Sequence, residues 1–441
     1  MTHDKINHRN LPWIEPDHLI SSWPAEAPLL YLGGDSPICY LATSFYEISF
    51  SEFCATRMSR FLHQKPADKE ATGFCHGYWG LLNFEAFSRS QTSKDLSCTP
   101  KMFRISQVLI FDKNLKTLHL SEFKPCPLGL LPVSDPFQTD HDVLRSLIHT
   151  SIQKPPLESW PEIKLIPEQS NQHYLNLCHQ ILDDIRSGRY YQINLLRYFK
   201  THRPLNRAEL IALIRKNGGP FSALWDLPSA CITSMSPEKF VDILPGPDQA
   251  TVRTFPIKGT IHRSPSKEED RRLRETLQNS QKDQAELHII VDLMRNDLNQ
   301  ICQTGSVEVI DPGSPRSFKT VHHLVAHLSG LLKKDILWSD FFSRLCPGGS
   351  ITGAPKKEVL NAISEYEGRN RLYFMGNIFC LDDSGHMTSS ILIRTLFAQK
   401  SSPILNEIFQ YAAGSGITLK SNPDDELSET ETKCKPVTNQ R

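Results

Sequence analysis

The chain has 441 residues, and its 49 Lys plus Arg are balanced by 49 Asp plus Glu, so the formal net charge is zero. That balance excludes a dedicated nucleic-acid or anionic-membrane binder, which would carry a basic excess. Eleven cysteines with no C-x-x-C pair exclude a disulfide scaffold and a zinc framework, and imply reduced thiols in a cytoplasm.

Residues 1–16 are polar and lack the apolar core of a signal peptide. No apolar run approaches the ~20 residues that span a bilayer, so a soluble protein without a membrane segment is expected. The length allows about three domains or one large composite body.

Between residues 28 and 123, β-rich runs such as Leu29-Leu30-Tyr31-Leu32 and Gln107-Val108-Leu109-Ile110-Phe111 alternate with turn residues. Prolines 125, 127, 132, 136, 155, 156, 161 and 167 then mark a connector, interrupted by an apolar helical patch from Val143 to Ile152. The expected division is 1–124, 125–170 and 171–441.

From Asn171 the pattern sharpens. Tyr174, Cys178, Ile181, Leu182 and Ile185 recur at helical spacing and stop before Gly188. Tyr190 to Leu195 reads as a strand. Ser266, with Glu269 three residues on, predicts a capping box at the head of a charged helix. A second helix carries Leu287, Ile290, Val291, Met294 and Leu298 inward. Pro355 opens a third with Val359, Ile363 and Tyr366 inward, and strands at Ile391–Ile393 and Ile417–Leu419 close the core. This is neither βαβα alternation nor an all-helical pattern, so the class is α+β.

Several residues stand out, each with a plainer reading beside it. Lys258, in Phe255-Pro256-Ile257-Lys258-Gly259-Thr260, is flanked by a β-branched residue and a glycine. Most lysines are solvated charges; a partly buried one has a lowered pKa and a nucleophilic amine. Glu286 borders its helix's apolar stripe. Glu426, Glu429 and Lys433 fall at i, i+3 and i+7 of a helix that Asn422 caps and Pro423 begins. They read either as a surface ion-pair ladder or as carboxylates converging with Glu286 on Mg²⁺.

The loop Gly348-Gly349-Ser350-Ile351-Thr352-Gly353 runs into a helix and offers backbone N–H groups to an anion. Ala354-Pro355-Lys356 in place of Lys-Ser/Thr argues against a nucleotide phosphate, leaving a carboxylate-binding loop or a structural turn. His323 and His327 have helical spacing but no H-E-x-x-H glutamate; His323 reads as a polar residue lining a site. Asp292, Arg295, Asn296 and Asp297 read as a structural ion-pair and hydrogen-bond network.

Taken in order, Pro256-Ile257-Lys258-Gly259-Thr260, Asp292-Leu293-Met294-Arg295-Asn296-Asp297, Pro347 to Lys356 and Glu429-Thr430 resemble the chorismate-utilising enzymes. The resemblance covers roughly residues 171–435. It continues weakly at Gly77-Tyr78-Trp79-Gly80-Leu81. It implies a composite β-sandwich core flanked by helices. Within that family, a lysine in this motif marks the branch that aminates chorismate to 4-amino-4-deoxychorismate for 4-aminobenzoate and folate synthesis. Anthranilate synthases carry alanine there.

By the same resemblance Lys258 would attack C2 of chorismate, and Glu238, in Ser236-Pro237-Glu238, would be the general acid/base. Glu286 and Glu429, with Glu426 nearby, would hold Mg²⁺. Arg394, Lys433 and the amides of Gly414 and Gly416 would take the substrate carboxylate, with His323, Ser350 and Thr352 lining the ring pocket. Such enzymes take ammonia from a separate glutamine amidotransferase subunit. Rival expectations are an anthranilate synthase component I, and a decayed relative acting as a binding subunit.

Overall fold

The computed structural model describes residues 7–56, 58, 77–87, 99–122, 137–152, 162–318 and 321–438. The proline-rich stretches 125–136 and 155–161 fall outside them. The α+β class holds. Every strand pairing is antiparallel, and the strands join into one hydrogen-bonded network rather than separate sheets.

Strands of the first third are built directly into those of the last. Leu29–Gly33 pairs with Ser222–Asp226, and Gly77–Leu82 with Asn377–Asp382. One run of neighbours passes from Gln192–Thr201 through Gln410–Thr418 and Thr395–Gln399 to Ala230–Ser234. Another passes from Met387–Ile391 through Lys239–Leu244 and Thr251–Thr254 to Val321–Leu331. Apolar alternation along these strands fills two buried clusters, one around Trp79, Trp225 and Phe379, the other around Leu109, Leu213 and Tyr411.

The helices follow their sequence patterns. Asn171–Arg186 buries Tyr174, Cys178, Ile181, Leu182 and Ile185, and Gly188 follows its end with φ +81°. Gln281–Ile301 buries its whole expected stripe. Asn422 caps Pro423–Thr432 as expected, accepting from Asp424 N–H and Asp425 N–H. His141–Ile152 is helical.

Other expectations fail at the level of local hydrogen bonds. Ser266 caps Lys267–Gln278 without a side-chain bond; Asp270, the residue after Glu269, instead accepts from Arg263 and from Ser264 N–H. A full capping box forms elsewhere, at Asn206 and Glu209. The first late strand ends at Ile391, and Leu419 lies beyond Thr418, exposed. His323 and His327 both lie on the strand Val321–Leu331, so their spacing of four is not helical and separates them along the sheet. Among the described residues no helix is long and apolar enough to cross a membrane.

Candidate active site

Lys258 lies on Ile257–His262, which pairs with Val321–Leu331: Lys258 opposes Leu324, then Thr260 opposes His323. Gly259 is the extra residue between them, at φ +64°, a bulge that re-aims the chain. The half-buried Lys258 ammonium makes no hydrogen bond and no ion pair among the described residues. A Cβ placed on Gly416 would stand 3.3 Å from it.

Three carboxylates feel its charge. Glu238 is pushed up to about 7 because burial outweighs Lys258, Lys433, Arg394 and a hydrogen bond from Ser350, all of which favour the anion. It retains some exposure. Glu286 is also raised, by burial first, with Asp283 and Glu426 adding to it and Lys258 and Lys282 opposing. Burial acts to raise Glu429 as well, but Lys433, Lys258 and Lys282 bring it below the usual carboxylate range.

The amides of Gly414 and Gly416 in Gln410–Thr418 point away from Gln192–Thr201 for a reason of register. Gly414 opposes Leu196 and Gly416 opposes Asn194. Leu196 N–H donates to Glu367 at 3.0 Å, and Asn194 N–H donates to the Thr352 carbonyl at 2.7 Å. Both are therefore non-hydrogen-bonded pairs, whose partners point their own N–H and C=O outward. Thr395–Gln399 covers that outer edge only at Gln410 and Tyr411. The Gly414 carbonyl accordingly receives the Lys433 ammonium at 2.6 Å.

Lys433 also bonds Glu429 at 2.6 Å, so it is satisfied within its own helix and the neighbouring strand. Arg394 is different. It sits at φ +50°, a strained conformation for a side-chain-bearing residue, and its guanidinium has no hydrogen-bond partner among the described residues. His323 is buried, with Nδ1 at 2.9 Å from Thr260 Oγ1 and 3.2 Å from the Gly259 carbonyl. A carbonyl only accepts, so Nδ1 carries the proton and Nε2 is left as an acceptor. Burial, with Arg394 and His322 nearby, lowers His323 to about 4, keeping it neutral.

In the glycine loop, Ser350 reaches Glu238, whereas the buried Thr352 hydroxyl donates to the Gly348 carbonyl at 2.9 Å and shapes its own turn. The Asp292–Arg295 pair forms at 3.1 Å, and Asp297 holds Lys356 at 2.7 Å. The first pair belongs to the expected network; Asp297 instead pairs with a residue outside it.

The carboxylate set suits a hard cation in part. Glu286 and buried Glu426, from different helices, repel each other, and a cation between them would relieve that repulsion. Glu429 must release Lys433 to join them. Among the described residues no three His, Cys, Asp or Glu side chains already stand close enough to enclose a metal.

Sequence reasoning missed Gln192 and Asn194 as individual residues. Both are buried beside Gly416 and Gly414, and each has a side-chain oxygen without a partner. Two polar residues at alternate positions of the buried and otherwise apolar segment Gln192 to Leu196 were the available signal.

A lysine among carboxylates, an unpaired arginine and an open row of strand amides define a site for an anionic small molecule. The chain belongs to the chorismate binding enzyme family, whose model matches residues 34–439. Over 276 residues it is 38% identical to aminodeoxychorismate synthase component 1 of Escherichia coli K12, covering 62% of this chain and 59% of that protein. Over 290 residues it is 31% identical to an anthranilate synthase component 1 of Haloarcula marismortui, covering 66% and 57%. The chain thus spans less than two thirds of the length of these curated relatives. The solved anthranilate synthase component I of Streptococcus pneumoniae TIGR4 shares the fold, with TM-score 0.70 and 22% identity over 93% of this chain and 92% of that one.

Proposed function

We propose that this chain aminates chorismate at C4 with ammonia, giving 4-amino-4-deoxychorismate for 4-aminobenzoate and folate synthesis. The observation that carries the reading is the unpaired Lys258 ammonium, set beside Gly416 and within the field of Glu238, Glu286 and Glu429. An amine without a partner at that place is free to act as a nucleophile once its proton is removed.

In this reading Arg394 and the Gly414 and Gly416 amides hold a substrate carboxylate, and His323 and Ser350 border the ring. Lys258 passes its proton to Glu238 and its freed amine forms a bond to C2 while the C4 hydroxyl leaves. Glu238, near neutrality in its proton affinity, gives that hydroxyl its proton, so water departs. Ammonia then bonds to C4, the C2–nitrogen bond breaks, and Lys258 is regenerated. Mg²⁺, bound by Glu286 and Glu426 with Glu429 alongside, would neutralise the ring carboxylate.

Ammonia would come from a glutamine amidotransferase subunit, a reading supported by the name "component 1" of the Escherichia coli relative. The eight described cysteines are all free and buried, which suits a reducing cytoplasm and offers no exposed thiol for glutamine hydrolysis. Two apolar clusters along one strand network support reading the core as a β-sandwich flanked by helices.

The test is product analysis after incubation with chorismate, Mg²⁺ and ammonium salt. Aminodeoxychorismate supports the reading. Anthranilate would reassign the chain to the other branch, and no turnover would favour a binding subunit.

A further inference from the structure

The outer edge of Gln192–Thr201 is paired at one end by Gly353–Ala354 and at the other by Leu165–Pro167. Between them, among the described residues, no strand covers residues 194–198. Asn194 N–H donates to the Thr352 carbonyl at 2.7 Å and Glu168 N–H to the Tyr198 carbonyl at 2.9 Å, and two side chains take the groups between them. Glu367, the last residue of the helix Lys356–Glu367, accepts from Leu196 N–H at 3.0 Å and from the Tyr198 hydroxyl at 2.8 Å. Arg371 donates to the Asn194 carbonyl at 2.6 Å, to the Ile351 carbonyl at 3.0 Å, and to both Glu367 oxygens at 2.5 and 2.9 Å.

Both side chains are buried, Arg371 at 1% and Glu367 at 0% exposure. A buried ion pair is a poor source of net stability, because desolvation offsets its attraction. What this pair supplies is geometry. The planar guanidinium reaches carbonyls on two separate segments while its other N–H groups hold both Glu367 oxygens, a fixed fork that a lysine ammonium does not reproduce. By engaging Leu196 N–H and Asn194 C=O, the pair also sets which residues of the strand face outward. That register is what turns the Gly414 and Gly416 amides to the outer edge of their strand, where Lys433 meets the Gly414 carbonyl. The same arginine pins Ile351, next to Ser350.

We infer that Glu367 and Arg371 are positioning residues that stand in for a missing strand and tie the Ser350 turn to the sheet that presents Gly414 and Gly416. The choice of chorismate as probe rests on the function proposed above; the geometry does not.

The test compares Tyr198→Phe, Glu367→Gln and Arg371→Lys with the parent chain. Readouts are thermal midpoint, hydrogen exchange at the Asn194 and Thr352 amides, and KM for chorismate. Expected in folded Glu367→Gln and Arg371→Lys is exchange at those two amides faster by about tenfold and KM higher by about tenfold, with smaller shifts in the same directions for Tyr198→Phe. Arg371→Lys, which keeps the charge, does not rescue. If the charge variants do not fold, Tyr198→Phe, which removes one hydroxyl, decides the matter with a smaller shift in the same directions.

A purely structural pair would lower the midpoint while leaving KM of the folded enzyme at the parent value, and that result overturns the inference. Exchange needs no substrate. Faster exchange in a chain that never aminates chorismate would therefore retire the proposed function and keep the positioning role.

Discussion

The Lys258 ammonium lies 3.3 Å from where a Cβ on Gly416 would stand, and the Gln192 amide nitrogen lies 2.9 Å from the same point. A strand glycine with ordinary backbone angles is thus kept side-chain-free by what must approach it. Gly416→Ala should fold, since both neighbours are ends of flexible side chains, but Lys258 must move. Displacement of the reacting group should lower kcat/KM by about a hundredfold with little change in thermal midpoint. Steady-state kinetics and a melting curve on one preparation check this.

Glu238→Gln separates chemistry from stability. Loss of the proton donor should lower kcat by about 10² to 10⁴. The folded chain holds the Glu238 proton up to about pH 7, against an ordinary value of 4.5. The stability this contributes is present at low pH and lost as pH rises through 7. Glutamine removes that dependence, so the variant should gain in melting temperature relative to the parent between pH 5 and pH 8. A constant difference across that range would show that Glu238 is not shifted upward.

Arg394→Gly tests the unpaired guanidinium without a backbone penalty, because glycine adopts φ +50° freely. KM for chorismate should rise by roughly 10- to 100-fold, as for loss of a charge-assisted hydrogen bond. The melting temperature should not drop. Arg394→Ala keeps the strain and should lose the same affinity.

Metal binding is tested without turnover. Mg²⁺ should raise the melting temperature of the parent chain, and Glu286→Gln should need about tenfold more Mg²⁺ for half the effect. Glu429→Gln should do the same while freeing Lys433. Equal responses in parent and variants would remove these residues as ligands.

Much of this site was legible in the chain. Lys258 next to Gly259 announced a turn in a strand, and the structure puts a bulge there. The stripe Leu287 to Leu298 fixed which way Glu286 points, and Asn422-Pro423 fixed the start of the helix carrying Glu426 and Glu429. Periodicity and capping are local, so they show in sequence. The outward aim of the Gly414 and Gly416 amides was not legible from register or spacing, because it depends on Glu367 reaching Leu196 across 171 positions. The His323 and His327 spacing misled because four residues suit a helix face and a strand face alike. Ser266 and Glu269 matched a capping box in type, yet nearby Asp270 was drawn to Arg263 instead.

The central claim is that Lys258 is the covalent nucleophile. Intact-mass analysis of the parent chain, mixed with chorismate and Mg²⁺ without ammonia, tests it most directly. The account predicts a species heavier by chorismate less one water, mapped to the Lys258 peptide, discharged by ammonium salt and missing in Lys258→Ala. Formation of aminodeoxychorismate by Lys258→Ala at the parent rate, with no adduct in any chain, would contradict it.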